Sequence, residues 1–314
     1  MRLVFFGTPQ IASRCLEKIL TSRHRVEAVV TAPDKPKGRG MKLEAPDVKR
    51  IAQSRGLEIL QPVDLTNSSF LARLAALDSE LFCVVAFRIL PEQVYAMPPH
   101  GCVNLHASLL PKYRGAAPIN WAIINGETET GLTTFFIRRR VDTGDIILRE
   151  PIAINPEETF GELHDRMADK GGDLLIRTID MIESGGVQAM HQDGSQATRA
   201  PKISPEICEI DWNKPAIEIH NLIRGLSPKP GAYTFRQGKK IIILKAKPAN
   251  ESHDLARPGE VIKADPHQGM RVACGIGAVE LLEMRPESGK TMSGAEYVRG
   301  RRLTEGEVLG RIIG

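Results

Sequence analysis

An α/β domain built on a parallel-rich, Rossmann-like sheet, followed by a small β-rich domain, is the fold class that this 314-residue sequence predicts. Three observations carry that prediction. The first half alternates apolar strands with amphipathic helical stretches, the rhythm of β-α-β units whose sheet is covered on both faces. Residues 188–206 then lose periodicity and fill with Gln, Asp, Ser, Thr and Pro, the composition of a linker. Beyond them, short strands recur between Gly- and Pro-containing turns, a spacing that suggests a small closed or nearly closed barrel. The expected division is a domain over 1–187, a linker over 188–206 and a second domain over 207–314.

Each element follows from its residues. Residues 2–6 are an apolar strand ending at Gly7-Thr8-Pro9, and residues 10–21 place Ile11, Cys15, Ile19 and Leu20 on one side of a helix. Val26 to Thr31 is a strand, residues 45–55 a helix entered through Pro46, and Leu57 to Leu60 a short strand. Phe70 to Leu77 is helical and Leu81 to Ala86 is a strand. Residues 156–184 form a helix with Leu163, Met167, Leu174, Leu175, Ile179 and Ile182 as its buried stripe, closed by Gly185-Gly186. In the second domain a helix over Pro215 to Arg224 precedes strands at Tyr233 to Phe235, Ile241 to Ala246, Gly259 to Ile262, Met270 to Ala273 and Ala278 to Met284.

Composition excludes several classes. With 42% apolar and 25% charged residues, the chain is an ordinary globular protein. No apolar run approaches the roughly 18–20 residues of a membrane span. The first residues are already an apolar strand, with no signal or transit segment before it, so a cytoplasmic location and no membrane partner are expected. The cysteines (Cys15, Cys83, Cys102, Cys208 and Cys274) are scattered, without metal-ligand spacing, so buried free thiols and no metal are expected. The net charge of +4 sits in the last third, where residues 207–314 carry 17 Lys and Arg against 13 Asp and Glu. That bias suits an anionic partner. Gly7 stands without the Gly-x-Gly-x-x-Gly turn that cradles a dinucleotide, which disfavours a nicotinamide dehydrogenase.

The chemistry concentrates in residues 103–115, Val-Asn-Leu-His-Ala-Ser-Leu-Leu-Pro-Lys-Tyr-Arg-Gly. A strand alternates its faces, so Asn104 and His106 point the same way. Ligands in open α/β sheets bind beyond the carboxyl ends of strands, where these residues fall. An amide can hydrogen-bond an oxygen that gains charge, and an imidazole can titrate near neutrality. Together they suggest chemistry at a carbonyl carbon. A carboxylate to accept or relay a proton is available in Asp142 or Asp145, and the residues alone leave both open.

The string from Asn104 through Ser108-Leu109-Leu110-Pro111 to Tyr113-Arg114-Gly115, running on to Ile123, resembles the signature of folate-dependent formyltransferases. Val141-Asp142-Thr143-Gly144-Asp145 resembles its second half. Phe6 to Pro9, Thr31 to Gly40 and Ile223 to Gly231 extend the likeness over nearly the whole chain, toward the branch of the family that acts on tRNA. The resemblance implies a formyltransferase domain and an OB-like second domain. It implies 10-formyltetrahydrofolate as donor, the α-amine of initiator methionyl-tRNA as acceptor, no protein partner, and Asn104, His106 and Asp142 as the catalytic residues. Folate binding is implied for Ser108, Leu109, Leu110, Pro111, Phe87, Ile89 and Leu90. The family has Tyr-Gly where this chain has Phe87-Arg88. If that glycine needs a positive φ, Arg88 would sit in a strained backbone. The run Arg138-Arg139-Arg140 is a second departure, and reads as a solvated surface run.

For tRNA, Lys35, Lys37, Arg39 and Lys42 lie in a Pro- and Gly-rich loop where cations can pair with phosphates. Arg39 matches the family position that probes the acceptor end. Lys229 and Lys240 are the second-domain candidates. The competing functions are formylation of a small amine, hydrolysis of formyltetrahydrofolate, and binding without catalysis. The basic loop argues against the first, and the intact Asn104, His106 and Asp142 against the last.

Overall fold

The computed structural model describes residues 1–37, 42–249 and 256–311, in two compact units. The chain runs β1 (Arg2–Gly7), α1 (Gln10–Leu20), β2 (Arg25–Val30), β3 (Lys35–Lys37), β4 (Lys42–Glu44), α2 (Asp47–Ser54), β5 (Glu58–Leu60) and α3 (Ser68–Ala76). It continues through β6 (Leu81–Val85), α4 (Glu92–Tyr95), β7 (Cys102–His106), β8 (Arg114–Gly115), α5 (Pro118–Ile124), β9 (Glu129–Phe136), β10 (Ile146–Ala153), α6 (Phe160–Glu183) and β11 (Arg199–Ala200). The last part holds α7 (Ala216–Leu226), β12 (Ala232–Arg236), β13 (Lys239–Ala249), β14 (Val261–Asp265), β15 (Gly269–Ala273), β16 (Ala278–Pro286), β17 (Met292–Ser293) and α8 (Gly294–Arg301).

The first unit carries a seven-stranded sheet in the order β10-β9-β7-β6-β1-β2-β5. From β7 to β5 every pairing is parallel, as the β-α-β rhythm requires. Leu3, Val4, Phe5 and Phe6 of β1 are fully buried, which is why that strand reads as a continuous apolar run. The antiparallel β9 and the edge strand β10 are additions that the sequence reading missed. Thr130 to Phe135 are all buried, so β9 shows no in-out alternation, and its threonines make it look polar. Its register places Phe135 opposite Asn104 and Thr133 opposite His106.

The compact units do not follow a single cut of the chain. Residues 117–129 and 154–163 belong with 201–314, while 164–200 belong with the first unit. Residues 188–200, whose composition reads as a linker, are therefore structured. Met190 bridges Ile146 of β10, and β11 pairs with β8.

In the second unit the sheet runs β12-β13-β16-β15-β14, with β17 on β16 and every pairing antiparallel. Residues 306–310 complete it. The N–H of Gly310 donates to Phe235 on β12, while Leu309 and Gly306 donate to Gly259 and Val261 at β14. One segment thus hydrogen-bonds both edges of the sheet. Ile219, Ile223 and Leu226 of α7 join the core over this sheet.

Arg224, in the family-like stretch, is structural. It is buried and donates to Asn221 Oδ1 and to the carbonyls of Asn155 and Glu158, and burial holds its guanidinium below its ordinary pKa. Beside it, Gly225 lets α7 approach α5. A Cβ there would stand 2.7 Å from Ile124 Cγ1 and 3.2 Å from the Asn120 carbonyl oxygen. Gly225→Ala should therefore lower stability by about 1–3 kcal/mol through overpacking, read by urea denaturation. An unchanged midpoint would contradict this packing.

Candidate active site

The carboxyl end of β7 brings the expected residues together. His106 is 6% exposed, and its Nε2 lies 2.8 Å from the Tyr113 carbonyl oxygen. A carbonyl only accepts, so Nε2 carries a hydrogen and Nδ1 is the nitrogen left for chemistry. Nδ1 faces Asp142 Oδ2 at 3.8 Å. Asn104, two residues earlier on the same face, is half-buried, and its side-chain amide has no partner among the described residues. An imidazole and a carboxylate thus meet at one strand end, with an uncommitted amide on the same strand face.

Backbone geometry aims the carboxylate. Asp142 sits in the left-handed region at φ 54°, which Asp tolerates better than most residues, and its Oδ2 accepts the Gly115 N–H at 2.9 Å. Gly144 allows the turn to close, because a Cβ there would fall 1.6 Å from the Phe136 carbonyl oxygen. Asp145 faces elsewhere, toward His191 Nδ1 (3.2 Å) and Arg138 (3.7 Å). Arg139 and Arg140 are exposed, so the basic run lies on the surface as its composition suggests.

The two segments expected to line a folate site are placed differently by side chain. Ser108 is fully buried and donates to the Lys112 carbonyl, and Leu110 packs with Phe135 and Ile146. Pro111 is buried after a cis Leu110-Pro111 bond, and Leu109 is partly exposed. Leu90 is buried, and Phe87 packs edge-on to Phe6 at 5.7 Å, whereas Ile89 is 74% exposed. The strain expected at Arg88 is absent, since the positive φ falls on Ala86 (46°) instead. Arg88 extends outward, donates to the carbonyls of Pro62 and Val63, and lies over the Phe87 ring.

Of the cationic candidates, Lys35 is exposed on β3, while Lys37 and Lys42 stand on the paired strands β3 and β4. Arg39 lies outside the described residues. The base of this loop is anchored at Asp34. Its carboxyl accepts from Gln61 and Lys49, and these bonds hold it below the usual carboxylate range. Lys229 is exposed between two cis X-Pro bonds. Lys240 instead lays its ammonium over the Tyr233 ring at 3.6 Å.

Four contributors escaped the sequence reading. The Thr133 hydroxyl accepts from Leu110 N and donates to the Ser108 carbonyl, which fixes the turn after β7. Thr198 Oγ1 accepts from Tyr113 N. Gln192 and Arg114 tie the Asp142 turn down. Only Arg114 stood within a recognisable motif. All five cysteines are free and buried, and burial pushes the Cys83 thiol up to about 12. Among the described residues one group has the proximity of metal ligands, His24 with Asp180 and Glu183, but Arg23 already pairs with both of its carboxylates.

Fold and site together define an α/β enzyme for chemistry at a carbonyl carbon. The family described as formyl transferase matches residues 1–179, and its C-terminal domain matches residues 202–302. A methionyl-tRNA formyltransferase from Acetivibrio thermocellus is 44% identical over 99% of this chain and 100% of its own length. One from Flavobacterium johnsoniae is 46% identical over 96% of each chain. An N-formyltransferase from Helicobacter canadensis, solved with folinic acid and dTDP-3-aminofucose, superposes with a TM-score of 0.67 at 22% identity, covering 89% of this chain and 98% of that one. The chain belongs to the formyl transferase family, among the methionyl-tRNA formyltransferases. Among the described residues, no helix is long and apolar enough to cross a membrane.

Proposed function

We propose that this enzyme transfers the formyl group of 10-formyltetrahydrofolate to the α-amine of methionine on initiator methionyl-tRNA, in the cytoplasm. The observation that supports the chemistry is the His106–Asp142 pair at the end of β7, with Nδ1 and Oδ2 3.8 Å apart and Asn104 on the same strand face. The neutral amine attacks the formyl carbon, a C–N bond forms, and the carbonyl π pair moves onto oxygen. The Asn104 amide and the Nδ1–H of a protonated His106 donate to that oxygen. Asp142 takes the proton that the attacking amine sheds. When the intermediate collapses, the bond to folate N10 breaks and N10 gains a proton, which Asp142 can return.

The folate reading rests on the segments 87–90 and 108–111, which flank this point in the sequence on either side of β7. Ile89 and Arg88 are exposed and Phe87 and Leu109 are partly so, and these are the side chains of the two segments open to a ligand. The folinic acid held by the Helicobacter canadensis relative supports the donor class. The full-length relatives named for methionyl-tRNA support the acceptor. A transfer assay with 10-formyltetrahydrofolate and charged initiator or elongator methionine tRNA tests the reading. Formylation of the initiator alone is expected, and transfer to neither tRNA would overturn it.

Recognition of tRNA is assigned to the loop bearing Lys35, Lys37, Arg39 and Lys42 and to Lys229 and Lys240. Binding should weaken steeply with salt, each phosphate contact removed reducing the slope of log affinity against log salt by about 0.7–0.9. Arg39→Ala should lower the ratio of kcat/KM for initiator over elongator tRNA while leaving folate affinity unchanged. An unchanged ratio would reduce the loop to a solvated surface.

A further inference from the structure

Gln192 lies in the stretch whose composition reads as a linker, yet it is 3% exposed. Its side chain is fully committed. Nε2 donates to the carbonyl oxygens of Asp142 (3.0 Å) and Gly144 (2.7 Å). Oε1 accepts from Arg114 Nε (3.2 Å) and Nη2 (2.7 Å). An amide has two N–H donors and two acceptor lone pairs, and all four are used. Nothing remains for a ligand, so Gln192 does not touch the reacting groups.

Its partners, however, are the two halves of the site. One is the turn that holds Asp142 at a positive φ. The other is the 113–115 segment, whose Tyr113 carbonyl takes the His106 Nε2–H and whose Gly115 N–H holds Asp142 Oδ2. Thr198 fastens the same segment, accepting from the N–H groups of Tyr113 and Arg114. We propose that Gln192 is a positioning residue for formyl transfer: it braces the Asp142 turn against the 113–115 segment, so that Oδ2 stays at the Nδ1 edge of His106. The proposal rests on the reading of Asp142 as the proton acceptor.

Glutamine suits the role and its neighbours in size do not. Glutamate keeps the Arg114 pairing but turns a second acceptor toward two carbonyl oxygens. Methionine keeps the length and loses every hydrogen bond. A displacement on the scale of an ångström in a reacting group can lower rate on the order of 10²-fold. Gln192→Met should therefore lower kcat by about tenfold to a hundredfold, with the KM for folate little changed.

The test is a cycle of Gln192→Met with Asp142→Asn, followed by single-turnover formylation of initiator methionyl-tRNA. A residue that acts through Asp142 should add little further loss once that carboxylate is gone. A full multiplicative loss in the double variant would assign Gln192 to general stability and overturn the proposal. If Gln192→Met fails to fold, Gln192→Glu carries the test with the same expected kcat loss, and wild-type kcat in it would overturn the proposal. The two readings fail differently. Wild-type activity in Asp142→Asn removes the acceptor reading and this inference with it. A dead Asp142→Asn beside fully active Gln192 variants removes this inference alone.

Discussion

Replacing His106 with alanine, or Asn104 with alanine, is expected to lower kcat for formyl transfer on the order of 10²–10³-fold each, while folate binding persists. The size follows from the work assigned to them. Each supplies one donor to an oxygen whose charge develops only as the amine adds, and such a donor acts on the transition state rather than on the bound substrate. Loss of kcat with an unchanged folate KM is the signature of that role. The substitutions leave the strand intact, because β7 is held by backbone pairing to β6 and β9. His106→Ala also frees the Tyr113 carbonyl, so some loosening of the 113–115 segment should accompany it. Near-native turnover in either variant would remove the residue from the mechanism.

Asp142→Asn is the second large effect. It should abolish most activity and keep the fold, whereas Asp145→Asn should lose far less. Asparagine tolerates the positive φ of residue 142 and can still accept the Gly115 N–H, so the turn survives. It cannot take a proton, so the amine has no acceptor. Asp145 is turned to His191 and Arg138, away from the imidazole of His106. Steady-state rates of the two variants decide between the carboxylates that the residues alone left open. A dead Asp145 variant beside an active Asp142 variant would reverse the assignment.

Much of this was legible in the chain. The alternation of apolar strands and helices gave the parallel part of the sheet, because burial on both faces leaves continuous runs such as Leu3 to Phe6. The two-residue spacing of Asn104 and His106 was enough to place them on one face of a strand end. What escaped has no periodicity to read. Gln192 and Thr198 act through tertiary hydrogen bonds from an irregular, polar stretch, and polarity there reads as solvation. Buried threonines disguised β9. Side-chain direction within the turn after β7 was equally hidden: the Ser108 hydroxyl turns to the Lys112 carbonyl, Thr133 of β9, a strand not foreseen, holds the Ser108 main-chain carbonyl, and Leu110 packs on Phe135 of the same strand. At 86–88 the positive φ lies on Ala86 and not on Arg88, so the strain that the Arg-for-Gly departure suggested does not arise at residue 88.

The account stands on formyl transfer to an amine rather than to water, and a single-turnover reaction measures that directly. Enzyme in excess over 10-formyltetrahydrofolate, with initiator methionyl-tRNA present, should convert the donor to formylmethionyl-tRNA one for one, with no free formate. Donor consumed with formate released and methionine left unformylated would contradict it, and would assign the same three residues to hydrolysis.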